Sequence, residues 1–204
     1  MACKKGIYSP RLDKEILTLK KNPPSGISCY PKQECQKNVL SASIVGASGS
    51  PYEKGVFQLE IIVTERYPFE PPRVRFTTPI YHPNVDAAGR ICLDMLKMPP
   101  SGSWKPIFTI EGVLTTIQCL MTNPNPDDPL MPDIASQYKY SKEQFDKDAE
   151  AWTIKHARAN TVSTCVTQVA VENNENLAVN KRKSDGFGED TENCDGTKKR
   201  TKIE

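Results

Sequence analysis

The sequence has little of what a metal site or a disulfide-linked secreted scaffold requires. Its 204 residues include only two histidines, His82 and His156, and its seven cysteines include no C-x-x-C pair. A structural zinc site takes about four ligands that usually come in close pairs, so we expect no bound metal. The N-terminus MACKKGIYSP lacks the apolar run of a signal peptide. We therefore expect free thiols in a reducing compartment.

Long apolar runs and a large net charge are also missing. No stretch approaches the roughly 18 apolar residues of a membrane-spanning helix, so we expect no membrane association. The 27 Lys+Arg and 25 Asp+Glu residues leave a formal net charge of +2, which excludes a chain that binds nucleic acid along its whole length. Residues 158–204 hold eight basic and eight acidic side chains, so we expect no direct nucleic-acid binding through this segment either.

Proline is absent from the last third of the chain. All 17 prolines lie between Pro10 and Pro132, and residues 159–204 contain one aromatic side chain, Phe187. Such a segment cannot bury enough apolar surface to offset the entropy that is lost on ordering. We predict an N-terminal extension over residues 1–8, a folded domain over 9–158 and a disordered polar tail over 159–204.

The tail carries two basic clusters, KRK at residues 181–183 and KKR at residues 198–200, followed by Lys202. Their separation is typical of a split nuclear-import signal. The pattern predicts a protein of the nucleus, with the cytoplasm as a second location. The alternative is that these are ordinary solvated side chains.

Hydrophobic periodicity predicts the elements of the folded domain. Helices are expected over residues 9–21 with Ser9 as the cap, from Thr109 onward, and from Ser141 to residue 158. Ser141 and Gln144 have the spacing of a capping box. Strands are expected over residues 39–45, 56–63 and 73–76. Successive strands joined by short turns favour an antiparallel meander, so the fold class is α+β.

The proline-rich segment over residues 64–108 contains the candidate chemistry, Cys92 with Asn84 nearby in a rigid turn. A thiol with an ordinary pKa of about 8.5 needs no strong base to attack a thioester. When a lysine then attacks the new thioester, an amide such as that of Asn84 can stabilise the oxyanion. A carboxylate such as Asp128 can orient the amine and assist the loss of its proton.

Two alternatives to this chemistry remain open at this point. Cys92 can be a small buried hydrophobic residue without a chemical role. It can also be the nucleophile of a hydrolase with His82 as its base, which we disfavour because His82 precedes a proline that stiffens the turn and no nucleophile signature surrounds Cys92. A structural His82 that hydrogen-bonds the loop is the preferred interpretation.

Several spaced motifs carry a resemblance to a known family. They are PYEKGVF at 51–57, YPFEPP at 67–72, YHPN at 81–84, GRICLD at 89–94 and NPDDPL at 125–130. Together they resemble the core of the ubiquitin-conjugating enzymes over residues 9–158, in the same order along the chain. The resemblance implies the UBC fold, a four-stranded antiparallel meander flanked by about four helices.

The resemblance also implies an activity. Cys92 would carry ubiquitin as a thioester, Asn84 would be the oxyanion residue and Asp128 would prepare the acceptor lysine. Supporting positions at the active site are Tyr81, His82, Pro83 and Leu130. The implied partners are ubiquitin, an activating enzyme that consumes the ATP, a RING-type ligase and protein substrates with acceptor lysines, and no cofactor is implied. The alternative is a catalytically silent binding module with the same fold.

The family's ligase-binding surface maps onto three parts of this chain. Its residues here would be Arg11, Lys14, Phe69, Trp104 and Pro106. We expect the aromatic and proline side chains to be exposed anchors beside a basic helix face.

Two departures from the commonest members narrow the resemblance. Residues 98–102 form an insertion between Cys92 and Trp104 that resembles the one in the T-type members of the family. This resemblance implies attachment of single ubiquitins in DNA interstrand crosslink repair, the Fanconi anaemia pathway. Tyr30 replaces a small residue on the back of the sheet, which argues against non-covalent ubiquitin binding there. We also predict that Lys97, five residues beyond Cys92, is a self-modification site.

Overall fold

The computed structural model describes residues 10–33 and 36–158. The predictions for the N-terminal extension, the Ser9 cap and the polar tail with its basic clusters lie outside the described residues. Within them, no helix is long and apolar enough to cross a membrane. No group of three or more His, Cys, Asp or Glu side chains in the same residues is placed to hold a metal ion.

The sheet is a four-stranded antiparallel meander in the order β1-β2-β3-β4. The strands are β1 Ile27–Gln33, β2 Gln36–Val45, β3 Val56–Ile62 and β4 Arg73–Phe76. The predicted α+β class and the four-stranded UBC sheet are confirmed, and the last strand has the predicted bounds.

Period-two alternation fixes which face of the sheet enters the core. Phe57, Leu59 and Ile61 on β3 are buried, and Val63 continues the same face just beyond the strand. A one-residue slip would turn all of these side chains toward solvent, so burial specifies the register. On the opposite face, Tyr30 of β1 is 53% exposed.

Four helices surround the sheet among the described residues: α1 Pro10–Lys21, α2 Ile110–Thr122, α3 Pro132–Tyr140 and α4 Lys142–His156. The predicted apolar stripe of α2 is its buried face, formed by Ile110, Val113, Leu114, Ile117 and Met121. Thr109 is the N-cap, because its hydroxyl oxygen accepts the backbone N–H of Gly112. These bounds place the loops on either side of α2 close to the irregular segment that follows β4.

Two details of the helices differ from the periodicity-based prediction. Periodicity did not predict α3, a nine-residue helix that buries only Ile134 and Ala135. The capping box at Ser141 is wrong, because the Ser141 side chain makes no capping hydrogen bond. The Gln144 side chain instead points along the helix and donates to the Asp148 carboxylate at 2.8 Å.

Candidate active site

His82 is a structural residue at the centre of the turn that follows β4. It is fully buried, its Nδ1 accepts the N–H of Asn84 at 3.0 Å, and its Nε2 lies 3.0 Å from the carbonyl oxygen of Leu120. A neutral ring that donates from Nε2 satisfies both contacts. Burial lowers the pKa of His82 to about 4. With both nitrogens occupied, the ring is not a base for Cys92, which removes the hydrolase alternative.

Asn84 connects the two loops that carry Cys92 and Asp128. Its side chain is 1% exposed. The amide Oδ1 accepts the N–H of Asn125 at 2.8 Å, and Nδ2 donates to the carbonyl oxygens of Asn125 at 2.7 Å and Asp128 at 3.0 Å. The Asn84 carbonyl accepts the backbone N–H of Cys92 at 2.9 Å. Both hydrogens of the side-chain amide are therefore engaged. To donate to an oxyanion, the amide must first break its hydrogen bond to one of these two carbonyls.

The neighbouring residues hold the same loop against the turn. The Pro83 carbonyl accepts the backbone N–H groups of Leu130 at 2.9 Å and Met131 at 3.0 Å. The Tyr81 hydroxyl donates to Gln137 Oε1 on α3 at 2.7 Å. Tyr81, Pro83 and Leu130, expected as active-site support, thus join the turn at residues 81–84 to α3 and to the loop before it.

The Cys92 sulfur lies between an acid and a base. Its S–H donates to Asp128 Oδ2 at 3.0 Å, and Lys97 Nζ donates to the sulfur at 3.3 Å. Lys97 Nζ also lies 3.6 Å from Asp128 Oδ2 and 3.5 Å from Asp94 Oδ1. The structure brings together the three residues that the sequence named for transfer and self-modification.

Partial burial and the Asp128 carboxylate favour the thiol form of Cys92 at rest. Partial burial and the hydrogen bond to Asp128 raise the pKa of Cys92, and the Lys97 ammonium opposes this. The hydrogen bond from Cys92 and the nearby Lys97 lower the pKa of Asp128, and the hydrogen bond to Cys92 raises the pKa of Lys97. A thiol, a carboxylate and an ammonium group therefore coexist at neutral pH, and Asp128 is positioned to accept the thiol proton.

Comparison with known proteins decides the family. The model of the family "Ubiquitin-conjugating enzyme" matches residues 11–153, which include the whole of this site. The chain is a ubiquitin-conjugating enzyme. Membership implies ubiquitin, an activating enzyme and a ligase as partners.

This ubiquitin-conjugating enzyme is similar to relatives named "Ubiquitin-conjugating enzyme E2 T". It is 59% identical to the one of Homo sapiens over 148 residues, 72% of this chain and 75% of the relative. It is 59% identical to that of Xenopus laevis over 147 residues, 72% of this chain and 76% of the relative. With that of Danio rerio it shares 49% identity over 189 residues, 93% of this chain and 96% of the relative.

One expected anchor of the enzyme's ligase surface is not exposed. Trp104 is only 2% exposed, and its indole N–H donates to the carbonyl oxygen of Pro68 at 2.8 Å. The ring lies between Tyr67 and Phe108, with centroid distances of 6.1 and 5.9 Å. The expectation of an exposed Trp104 is therefore wrong, because the indole supports the neighbouring loop from inside.

Other parts of the enzyme's expected ligase surface do face solvent. Phe69 is 68% exposed, and Lys14 and Pro106 are exposed. Ile107 is 78% exposed and had not been identified from the sequence. The sequence signal for an exposed Ile107 is its position directly after a proline in a loop. A loop residue has no neighbours on a helix or strand face that would bury its side chain.

Proposed function

We propose that Cys92 accepts activated ubiquitin as a thioester and passes it to substrate lysines with a RING-type ligase. The observation that carries this proposal is the 3.0 Å contact between the Cys92 sulfur and the Asp128 carboxylate. The two residues come from segments 36 positions apart in the chain. Asn84 joins those segments, because its side chain donates to the Asp128 carbonyl and its own carbonyl accepts the Cys92 N–H.

The charging step needs no cofactor in this chain. The Cys92 sulfur attacks the thioester carbonyl of ubiquitin on the activating enzyme, and a new C–S bond forms as the old one breaks. The departing sulfur leaves as a thiolate, which a proton neutralises. Asp128 is the nearest acceptor for the proton that Cys92 loses. ATP is consumed earlier, by the activating enzyme.

Charging changes the surroundings of Asp128. Once Cys92 is a thioester, its S–H no longer exists, and the carboxylate loses that donor. Asp128 can then accept a hydrogen bond from an incoming lysine and take part in the loss of its proton. The lysine nitrogen forms the amide bond, the C–S bond breaks, and Cys92 returns to the thiol. Asn84 supports this step by holding the loop of Asp128. Its side-chain amide also donates to the oxyanion when it gives up one of its hydrogen bonds to the loop carbonyls.

A catalytically silent binding module is the weaker alternative. Such a module has no need to place a thiol, a carboxylate and a bridging amide in contact. Cys92, Asp128 and Asn84 are nonetheless connected by direct hydrogen bonds. The contacts therefore favour the active enzyme.

We further propose that the enzyme attaches single ubiquitins in DNA interstrand crosslink repair, the Fanconi anaemia pathway. The resemblance to the T-type members implies this role, and relatives named "Ubiquitin-conjugating enzyme E2 T" support the T-type assignment. The exposed ring of Tyr30 on the outer face of β1 supports single attachment, because a bulky side chain there opposes a second, non-covalent ubiquitin.

Reconstituted modification of the Fanconi substrate pair tests this role. With activating enzyme, ubiquitin, ATP and the RING-type ligase of that pathway, we expect one ubiquitin on each modified substrate chain. Chains of ubiquitin would contradict the single-attachment proposal. Active discharge onto free lysine without any modification of the pair would contradict the pathway.

We place the enzyme in the nucleus on the basis of the two basic clusters over residues 181–183 and 198–200. Deleting residues 181–204 should abolish nuclear enrichment of a fluorescent fusion in cells. Unchanged enrichment would reject the import signal.

A further inference from the structure

Glu15 on α1 holds three separate elements with one carboxylate. Its Oε1 accepts the Arg11 Nε–H at 2.8 Å and the Tyr67 hydroxyl at 2.9 Å. Its Oε2 lies 2.8 Å from the Tyr67 hydroxyl and accepts the backbone N–H of Ile110 at 2.8 Å. The side chain is only 11% exposed. The carboxylate thus joins α1, the loop after β3 and the first residue of α2.

The Ile110 contact uses a group that the helix cannot satisfy itself. The first N–H groups of a helix have no partner within it, and a negative charge at this end is favourable. Loss of the Glu15 charge therefore weakens the attachment of α1 to the start of α2 without removing a residue from the α2 core.

Arg11 extends the same connection to a second loop. Its Nη2 donates to the carbonyl oxygen of Phe108 at 2.7 Å, and its guanidinium carbon lies 5.6 Å from the centre of the Tyr67 ring. Arg11, which the sequence assigned to ligase contact, directs these donors into the protein. Arg11 and Glu15 together therefore connect α1 to the loop that precedes α2 and to the first residue of α2.

Each connected segment carries an exposed side chain close in sequence to a residue of this network. Lys14 precedes Glu15 on α1, Phe69 follows Tyr67 by two positions, and Ile107 precedes Phe108. Phe69 and Ile107 are 68% and 78% exposed. Between α1 and the start of α2 lies an open groove of about 390 Å³ whose lining includes Lys14, Ile107 and Glu15 itself. The relative positions of these side chains depend on the Glu15 contacts.

We propose that Glu15 is a positioning residue, which sets the geometry of the surface formed by Lys14, Phe69, Ile107 and the groove beside them. Ligase stimulation depends on Glu15, whereas the chemistry at Cys92 does not. This inference rests on the proposed function, in which a RING-type ligase engages this surface. None of the Glu15 partners contacts Cys92, Asn84 or Asp128 in the described part of the chain.

The test is single-turnover discharge of pre-charged enzyme onto free lysine, measured without ligase and over a range of RING-domain concentrations. Pre-charging removes any effect on the activating enzyme. The variants are Glu15→Gln, which keeps the shape and removes the charge, and Tyr67→Phe, which removes only the hydroxyl donor. The control is Glu150→Gln, which removes the same charge from an exposed position on α4, outside both the network and the groove.

We expect Glu15→Gln to discharge within about twofold of the wild type without ligase, and to need at least about fivefold more RING domain for half-maximal stimulation. Tyr67→Phe should change in the same direction by a smaller factor, and Glu150→Gln should resemble the wild type. Tyr67→Phe keeps the test decisive if Glu15→Gln does not fold.

The opposing outcomes separate the two proposals. Full ligase stimulation of both variants would overturn the role of Glu15 and leave the proposed function intact. Equal losses with and without ligase would also overturn it, because they would indicate a general structural role. A wild-type enzyme that no RING domain stimulates would overturn the ligase partnership and the inference with it.

Discussion

The ammonium nitrogen of Lys97 lies 3.3 Å from the sulfur of Cys92. Two hydrogen bonds fix the backbone from which this side chain extends. The Lys97 N–H donates to the Asp94 carbonyl at 3.0 Å, and the Lys97 carbonyl accepts the Trp104 N–H at 3.1 Å. Gly102 packs so closely that a Cβ at this position would lie 2.3 Å from Lys97 Cβ. A lysine of the enzyme itself therefore occupies the space that an acceptor amine must enter.

Self-modification at Lys97 is the first prediction. In the charged enzyme this amine is within reach of the thioester carbonyl, so prolonged incubation without substrate should attach ubiquitin to Lys97. The rate should rise with pH, because a lysine is mostly protonated at neutral pH and the ammonium form cannot attack. Peptide mapping should find the adduct at Lys97, and Lys97→Arg should abolish it. The control Lys105→Arg, in the same loop, should retain it, and adducts only at other lysines would refute the prediction.

The second prediction concerns the pH dependence of Cys92 alkylation. The raised pKa of Cys92 places the midpoint of iodoacetamide reactivity above the value of about 8.5 for a free thiol. Asp128→Asn removes a group that raises the pKa, so the midpoint should move to lower pH. Lys97→Met removes a group that lowers it, so the midpoint should move to higher pH. Mass spectrometry of the Cys92 peptide measures each profile, and shifts in the opposite directions would exclude this arrangement of charges.

The third prediction concerns the stability and the discharge rate of the Asn84→Asp variant. The substitution keeps the shape but replaces both amide donors with a carboxylate that faces the carbonyls of Asn125 and Asp128. We expect the free energy of unfolding to fall by about 1–3 kcal/mol. Charging of Cys92 should persist, while discharge onto lysine should fall by about a hundredfold.

The control for Asn84 is Asn123→Ala. Among the described residues the Asn123 amide donates only to Cys119, at 3.3 Å to its carbonyl oxygen and 3.8 Å to its sulfur. This variant should discharge at the wild-type rate. Discharge of Asn84→Asp at the wild-type rate would show that neither the loop contacts nor the oxyanion role of Asn84 matters for transfer.

Acid stability tests the environment of His82, the fourth prediction. The folded-state pKa of about 4 lies below the value of about 6.5 for an exposed imidazole. Between these values the unfolded chain binds a proton that the folded chain does not, so stability falls as the pH falls. This group contributes a loss of about 3 kcal/mol between pH 6.5 and pH 4.

Denaturant unfolding at a series of pH values measures this loss. His82→Gln should be less stable than the wild type near neutral pH, and its stability should fall less steeply toward pH 4. His156→Gln, which removes the other histidine, should retain the steep fall. Parallel curves for the wild type and His82→Gln would show that His82 does not titrate with a lowered pKa.

Local patterns predicted the elements that have a long, regular period. The alternation of Phe57, Leu59 and Ile61 and the stripe of α2 depend on neighbours in the sequence, so both could be identified before the fold was known. The short helix α3 could not, because it buries too few side chains to establish a period. Ser141 is the N-cap of α4 but makes no side-chain capping bond, and its backbone also ends α3, where its N–H donates to the Gln137 carbonyl at 2.8 Å.

The resemblance named Cys92, Asn84 and Asp128, but not how they touch. The Asn84 contacts and the 3.0 Å distance from Cys92 to Asp128 arise from loops that meet only in the folded chain. Trp104 was misassigned for the same reason, because its acceptor at Pro68 lies 36 positions earlier. For Glu15 the sequence offers only the four-residue spacing from Arg11 on α1. Its contacts with Tyr67 and Ile110 join separate elements and appear only in the folded chain.

The most direct test of the account is the charging of Cys92. Wild-type enzyme incubated with activating enzyme, ubiquitin and ATP should form an adduct with one ubiquitin that a thiol reductant removes. Cys92→Ser should form an adduct that resists the reductant, because an oxyester replaces the thioester, and Cys92→Ala should form none. Cys119→Ser, which removes an exposed thiol, should charge like the wild type. A reducible adduct on Cys92→Ala would contradict the assignment of Cys92 as the residue that carries ubiquitin.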